Sequence, residues 1–331
     1  MKQFIKSIIR ISIILLLLVL IPSVLYLQRD VYSDFGEEDN YSWKYFFQQL
    51  GDMSTKKLIS SPNKYNSFIF GSSRATSVYA CYLQEKIENS TFFHYSNWNE
   101  SIGGIERKIN LLDSLGYSID NVVIYLDTDY TFADEGKCSP FDHYLLTNKS
   151  RNAYLASHFN SFFKNLTTDK IKILLGLQVH GEVFPNWLSD LETNDPNHFC
   201  SDSMISFYGN IDTSHSYIKG MDSLINSGFL YQRELEQNYK AKQISPEEQD
   251  ILCNLKLLLE KHYSNYYIVV TPLYDQYKFA ISDQKILSDC FGENIYDFSG
   301  INDITNDPYN YPDRKHFQPY ISKNILDSIL N

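Results

Sequence analysis

The stretch Tyr65–Tyr79, YNSFIFGSSRATSVY, decides how the rest of the chain is read. Ser67 to Phe70 are the side chains of a short apolar strand, and Gly71 stops it. An apolar run bounded by a turn residue predicts a buried strand. Ser72, Ser73 and Arg74 follow at once, and then apolar residues at helical spacing in ATSVYACYLQEKI. A serine in the first turn of a helix lies among unpaired N–H groups and the positive end of the dipole. Such a serine can cap the helix, hold an anion or serve as a nucleophile beside an oxyanion site.

The same rhythm continues outward. STFFHYS and NVVIYLD read as further strands, and GGIERKINLLDSLG between them as a helix opening at Gly103-Gly104. SPEEQDILCNLKLLLEKH, KFAISDQKILSDCF and FQPYISKNILDSIL read as helices, alternating with the strands YYIVVTPL and NIYDFS. Ser245, followed by Glu247 and Glu248, suits a helix start. Alternating strands and helices predict an α/β fold, a three-layer doubly wound parallel sheet of about five strands. The rhythm breaks over about 131–243, which is aromatic, polar and irregular. It holds the helical candidates NAYLASHFNSFFKNL and HSYIKGMDSLINSG and the apolar run IKILLGL. The expectation is a large, mostly helical insertion carried on the sheet, within one domain over 65–331.

Lys2, Lys6 and Arg10 precede the uncharged run Ile11–Leu27. That length is near the lower limit for crossing a bilayer, and Ile8 and Ile9 extend it. No small-residue cleavage site follows, so residues 1–30 are expected to remain as a signal anchor. Basic residues before it and Asp30, Asp34, Glu37, Glu38 and Asp39 after it predict a cytoplasmic N-terminus and an extracytoplasmic domain. Residues 31–64 read as a polar stalk with one amphipathic piece, YSWKYFFQQL. A net charge of −11 over 331 residues argues against nucleic acid as a partner. The five cysteines form no CxxC pair, so a zinc cluster is not expected, whereas one or two disulfides are compatible with a location outside the cytoplasm.

In parallel sheets the working residues collect at the C-terminal strand ends. Three candidate sites stand there: Gly71-Ser72-Ser73-Arg74, the NWNESIGG segment ending at Gly103-Gly104, and Asp313-Arg314-Lys315-His316 before the last helix. An Asp bonded to one ring nitrogen of a His fixes the tautomer and leaves the other nitrogen as a base. Gly-x-Ser after the first strand, a glycine after the second and Asp-x-x-His before the last helix resemble the SGNH (GDSL-type) hydrolase superfamily. GSSR stands where that family has Gly-Asp-Ser, NESIGG resembles its second block with Asn99 and Gly104 matching, and YPDRKHF resembles its fifth. The resemblance spans roughly 64–130 and 245–330. It implies Ser73 as nucleophile, His316 as base, Asp313 as orienting acid, and the N–H groups of Ser73 and Gly104 as oxyanion donors. The Gly-Ser-Ser variant also resembles membrane-anchored relatives that act on cell-envelope polymers, such as teichoic-acid D-alanylation and polysaccharide O-acetylation proteins.

One block departs. Where the family has Gly-x-Asn-Asp, this chain has Asp127-Thr128-Asp129-Tyr130, and Asp129 falls at the position of the oxyanion-binding Asn. An ionised carboxylate cannot donate. Thr128, an N–H of the insertion or a protonated Asp129 would have to replace that donor. Asp127 and Asp129 can equally cap the start of the insertion.

The leading expectation is a membrane-anchored extracytoplasmic serine esterase or O-acyltransferase. Its partners would be an acylated glycan or cell-envelope polymer, the membrane through the N-terminal helix, and a membrane-embedded acyl-transfer protein. No cofactor and no nucleic acid enter this reading. A catalytically inactive member that binds an envelope polymer or a partner protein is the alternative. A metal-dependent phosphoesterase built from Asp127, Asp129, Asp313 and His316 is a third.

Overall fold

The computed structural model describes residues 1–32, 34–35, 50–133, 143–147, 149–164, 166–177, 215–231, 233 and 235–330. The chain forms two compact units, Met1–Gln48 with Lys149–Phe184, and Gln49–Asn148 with Pro185–Asn331.

The first unit begins with α1 (Lys2–Arg29), which is long and apolar enough to cross a membrane. It ends at Asp30, whose left-handed backbone (φ 45°) turns the chain and whose N–H closes on Tyr26 and Leu27 carbonyls. Two further helices belong to this unit, Arg151–Lys164 and Thr168–Leu174, the second capped by Thr167. Tyr26, Val31 and Tyr32 at the end of α1 share one small core with Phe162, Ile173 and Leu174. Asp34 receives the imidazole of His158 at 2.9 Å. One reading left open by the sequence is decided here, and one expectation changes. The IKILLGL run is helix and turn, because its apolar residues recur at helical spacing against the end of α1. The described residues of the expected insertion between 149 and 177 cluster with the anchor and not with the sheet.

The second unit holds a five-stranded parallel sheet, making the protein an α/β fold. The strands are β1 (Ser67–Gly71), β2 (Phe92–His94) and β3 (Asn121–Leu126), with β5 (Asn265–Val270) and β7 (Ile295–Asp297) completing the order β2-β1-β3-β5-β7. A separate two-stranded pair, β4 (Asn238–Tyr239) and β6 (Tyr277–Lys278), was not foreseen; two residues carry no readable period. Side chains alternate between two cores. Phe68, Phe70, Val122, Ile124, Ile268 and Val270 face Ile105, Ile109, Leu252 and Leu255 of the helices Ile102–Ser114 and Pro246–Lys261. Ile69, Val123 and Val269 face Leu83 and the C-terminal helix residues Ile321 and Ile325. Burial on both faces is why these strands are apolar throughout. The Pro246–Lys261 helix starts with a full capping box between Ser245 and Glu248.

The stalk expected over 31–64 ends early. Leu50–Ser60 is a helix of the sheet unit: Leu58 joins its core, and the Tyr117 hydroxyl donates to the Leu58 carbonyl at 2.7 Å. The amphipathic piece YSWKYFFQQL lies outside the described residues apart from Leu50. Cys81 is disulfide-bonded, with its partner outside the described residues, while Cys253 and Cys290 are free thiols with sulfurs 3.8 Å apart.

Two features of the sheet unit give testable stability effects. Gly71 has φ +145°, and a Cβ there would lie 2.8 Å from the Tyr125 carbonyl oxygen and 3.0 Å from Ala75 Cβ. Gly71→Ala is therefore expected to destabilise the protein by at least about 2 kcal/mol, read as a lowered denaturant midpoint. The second is His94, fully buried beneath the same turn. It donates from Nε2 to the Ala75 carbonyl (2.8 Å) and accepts the Ser96 hydroxyl at Nδ1 (2.8 Å), which is the neutral ring. Burial, reinforced by the Lys108 charge and opposed by the Ala75 carbonyl, pushes its pKa from 6.5 down to about 4. Between those two values the unfolded chain binds the proton and the folded one does not. Stability should therefore fall as the pH drops from about 6.5 towards about 4, by on the order of 2–3 kcal/mol from this residue. His94→Gln should show a shallower stability slope across that interval in pH-dependent unfolding.

Candidate active site

The sheet register determines what meets at the strand ends. Gly71 pairs with Tyr125, so the residues after β1 face those after β3. Beyond Gly71 the chain enters a single 3-10 turn over Ser73–Ser77. Ser72 starts it, accepting the Arg74 N–H at 3.4 Å, and its own hydroxyl donates to Asp127 Oδ2 at 2.8 Å. The bland role of a cap thus falls to Ser72, leaving Ser73 for other work.

Ser73 is 243 residues from His316, yet its Oγ lies 2.9 Å from His316 Nε2. His316 Nδ1 is 3.0 Å from Asp313 Oδ2, and Asp313 Oδ1 accepts the His316 and Lys315 backbone N–H groups at 2.8 and 2.6 Å. The Asp-x-x-His spacing makes this possible: a turn three residues long folds the carboxylate back under the ring. Ser73 is nearly buried, and the His316 and Asp313 side chains keep partial access to solvent. Hydroxyl, imidazole and carboxylate thus form one chain of hydrogen bonds, with the bond to the carboxylate favouring the Nδ1–H tautomer and leaving Nε2 to accept the Ser73 proton.

The remaining expected site residues behave differently. Asp129 faces Arg74 Nη2 through Oδ2 (2.8 Å) and Lys240 Nζ through Oδ1 (3.2 Å). A carboxylate held by two cations is an acceptor, so Asp129 does not take the place of a donating Asn. The Gly104 N–H is directed at Ser101 Oγ (3.2 Å), as the third-residue donor of that helix's N-cap. Its glycine identity has a packing cause, because a Cβ would collide with the Glu100 carboxylate, which is buried in an ion pair with Lys108. The Thr128 side chain is buried, and its hydroxyl has no hydrogen-bond partner among the described residues; the Thr128 carbonyl accepts from Gln243 Nε2 at 2.9 Å. Asp127 accepts the N–H groups of Asp129 and Tyr130 at 2.9 and 2.7 Å, the capping role allowed for it above.

Arg74 stood in the first candidate segment with no role assigned to it. Its guanidinium is buried, 3.0 Å from Asp127 Oδ2 and 2.8 Å from Asp129 Oδ2, stacks 5.1 Å over the Tyr130 ring, and donates from Nε to the Lys315 carbonyl at 2.8 Å. One side chain thus ties the Ser73 turn to the β3 end and to the peptide preceding His316. Burial by itself would lower the Arg74 pKa; the two carboxylates outweigh it and raise it. The signal was present in the sequence as a cation directly after Ser73 and two acids directly after the neighbouring strand. It needed the register to be read. The four residues of the metal reading are likewise divided: Asp127 and Asp129 are committed to Arg74, Asp313 to His316. Among the described residues no group of His, Cys, Asp and Glu has metal-binding spacing.

Compared with known proteins, the chain matches no family model and no curated sequence.

Proposed function

We propose that this protein is a membrane-anchored serine esterase or O-acyltransferase of the SGNH type, built on a three-layer doubly wound sheet. It would act outside the cytoplasm on an acylated glycan or cell-envelope polymer. The observation that carries the reading is the Ser73 Oγ to His316 Nε2 separation of 2.9 Å with Asp313 behind the ring. The motif order along the sequence supports the SGNH assignment. The α1 helix supports anchoring, and the Cys81 disulfide favours an oxidising compartment.

In this reading Ser73 Oγ attacks the ester carbonyl while His316 Nε2 takes its proton. Asp313 holds the ring and offsets the imidazolium charge. His316 then returns the proton to the leaving alcohol, and an acyl group remains on Ser73. Water as acceptor gives an esterase; a sugar hydroxyl gives a transferase. The oxyanion would be held by the Ser73 N–H and by the Thr128 hydroxyl, a buried donor that otherwise has no partner among the described residues.

The test is a fluorophosphonate probe on the full-length protein in detergent or membranes. Labelling that disappears in Ser73→Ala supports the enzyme. A folded protein that takes up no label supports the second reading, a polymer- or partner-binding relative with the same cleft. That reading is favoured by the ion-paired Asp129 and by the commitment of the Gly104 N–H to Ser101.

A further inference from the structure

We propose that the Thr168–Leu174 helix and the residues after it lie on the surface of the membrane that α1 crosses, with Ile171, Leu175 and Leu177 entering the lipid at headgroup level. This concerns the first unit alone and does not depend on the hydrolase reading.

The exit point of α1 locates the surface. From Phe4 to Ile21 its large apolar side chains are exposed, whereas Pro22 and Ser23 are half covered and Tyr26 is buried. A helix of that length spans about 27 Å, close to the thickness of a bilayer's hydrocarbon core. The helices of this unit thus begin to pack on α1 at the level where it leaves the hydrocarbon. At that level lie Tyr26, Tyr32, Phe159, Phe162 and Phe163, a ring cluster of the kind enriched at membrane interfaces.

The Thr168–Leu174 helix belongs to the same place. Ile173 and Leu174 fill the core under Tyr26, and Arg29 Nε donates to the Leu174 carbonyl at 3.5 Å. Gly176 lies so close that a Cβ would collide with the Arg29 guanidinium. The helix and its flanks also carry aliphatic side chains away from that core, beside the charged Asp169, Lys170 and Lys172. Ile171 and Leu175, one turn apart, are exposed, as are Leu166 before and Leu177 after them. Aliphatic side chains on both sides of a short helix, with one side buried in protein, are expected where the other side meets lipid. The charged groups of the helix are turned to the protein: Lys170 Nζ donates to the Phe162 carbonyl at 2.8 Å and Lys172 Nζ pairs with Asp169 at 3.3 Å, leaving the aliphatic side chains as its bare surface. The occupant committed to is therefore the bilayer itself, continuous with the surface α1 already presents.

The experiment places a tryptophan at the face of the full-length protein, Leu175→Trp or separately Leu177→Trp, in phosphatidylcholine vesicles. Lipids with a nitroxide near the top of the acyl chain report contact, and emission is compared with the parent, which contains Trp43, Trp98 and Trp187. The added emission is expected to be blue-shifted and quenched about twofold or more by the labelled lipid, and shielded from aqueous iodide. Added emission at the wavelength of a water-exposed indole and freely quenched by iodide would overturn the proposal. So would blue-shifted emission that the labelled lipid does not quench, since protein would then cover the face. Both positions are exposed, and unchanged circular dichroism checks that the fold tolerates them.

Discussion

Replacing His316 by alanine is expected to slow fluorophosphonate uptake at Ser73 by at least about a thousandfold while leaving the protein folded. A serine hydroxyl is almost entirely protonated at neutral pH, and the imidazole 2.9 Å away is the group placed to remove that proton. Asp313→Asn should cost about as much, although it keeps the shape, because an amide can present its NH₂ to Nδ1 and favour the wrong tautomer. The comparison separates chemistry from structure. Neither side chain is part of a hydrophobic core, so unfolding free energies should remain within about 1 kcal/mol of the parent. Rapid labelling of His316→Ala at the parent rate would remove the imidazole from the mechanism. Loss of labelling with a large stability loss would point instead to a collapsed turn.

Arg74→Met should produce the largest stability loss among single substitutions around the site. The guanidinium and Asp127 are both almost wholly buried, and among the described residues Lys240 is the cation left to Asp129 once Arg74 is gone. Removing one partner of a buried ion pair leaves charge without compensation and costs about 3–5 kcal/mol. For a protein of this size that corresponds to an unfolding midpoint lowered by about 10 °C in a thermal scan. Arg74→Lys keeps the charge but not the planar fork that reaches Asp127, Asp129 and the Lys315 carbonyl together, so it should recover only part of the loss. Because Arg74 also holds the peptide before His316, a stable variant should label more slowly at Ser73. A midpoint within 2 °C or so of the parent would show that the buried pairs contribute little net free energy.

Much of this was readable from residue order. Apolar runs with β-branched and aromatic residues marked the five strands of the sheet, and strand ends marked the Gly71–Arg74 and Asp313–His316 segments, because parallel sheets present their C-terminal edge as one rim; the resemblance singled out Ser73 within the first of them. The fates of Asp129 and Gly104 were not readable. The resemblance implied an oxyanion donor at Gly104 and set Asp129 where a donating Asn was expected, with protonation or a capping role left open for it; each was decided by a neighbour distant in sequence or in turn geometry: Arg74, 55 residues before Asp129, and Ser101 in the cap under Gly104. The stalk boundary was missed because Leu58 looks like any apolar residue in a polar stretch until Tyr117 reaches its carbonyl.

The sequence by itself determined the α/β character, the apolar N-terminal helix and the Asp-x-x-His spacing of Asp313 and His316, since period, length and short-range spacing are local properties of the polypeptide; Ser73 entered through the family resemblance and lies 243 residues from the imidazole that it meets in the fold. Only the tertiary structure decided which charges neutralise one another, which amide caps a helix and which face of Thr168–Leu174 is left bare. Those outcomes depend on the parallel register and on helices packing from opposite ends of the sequence, and pairwise electrostatics and burial exist only once the segments have met.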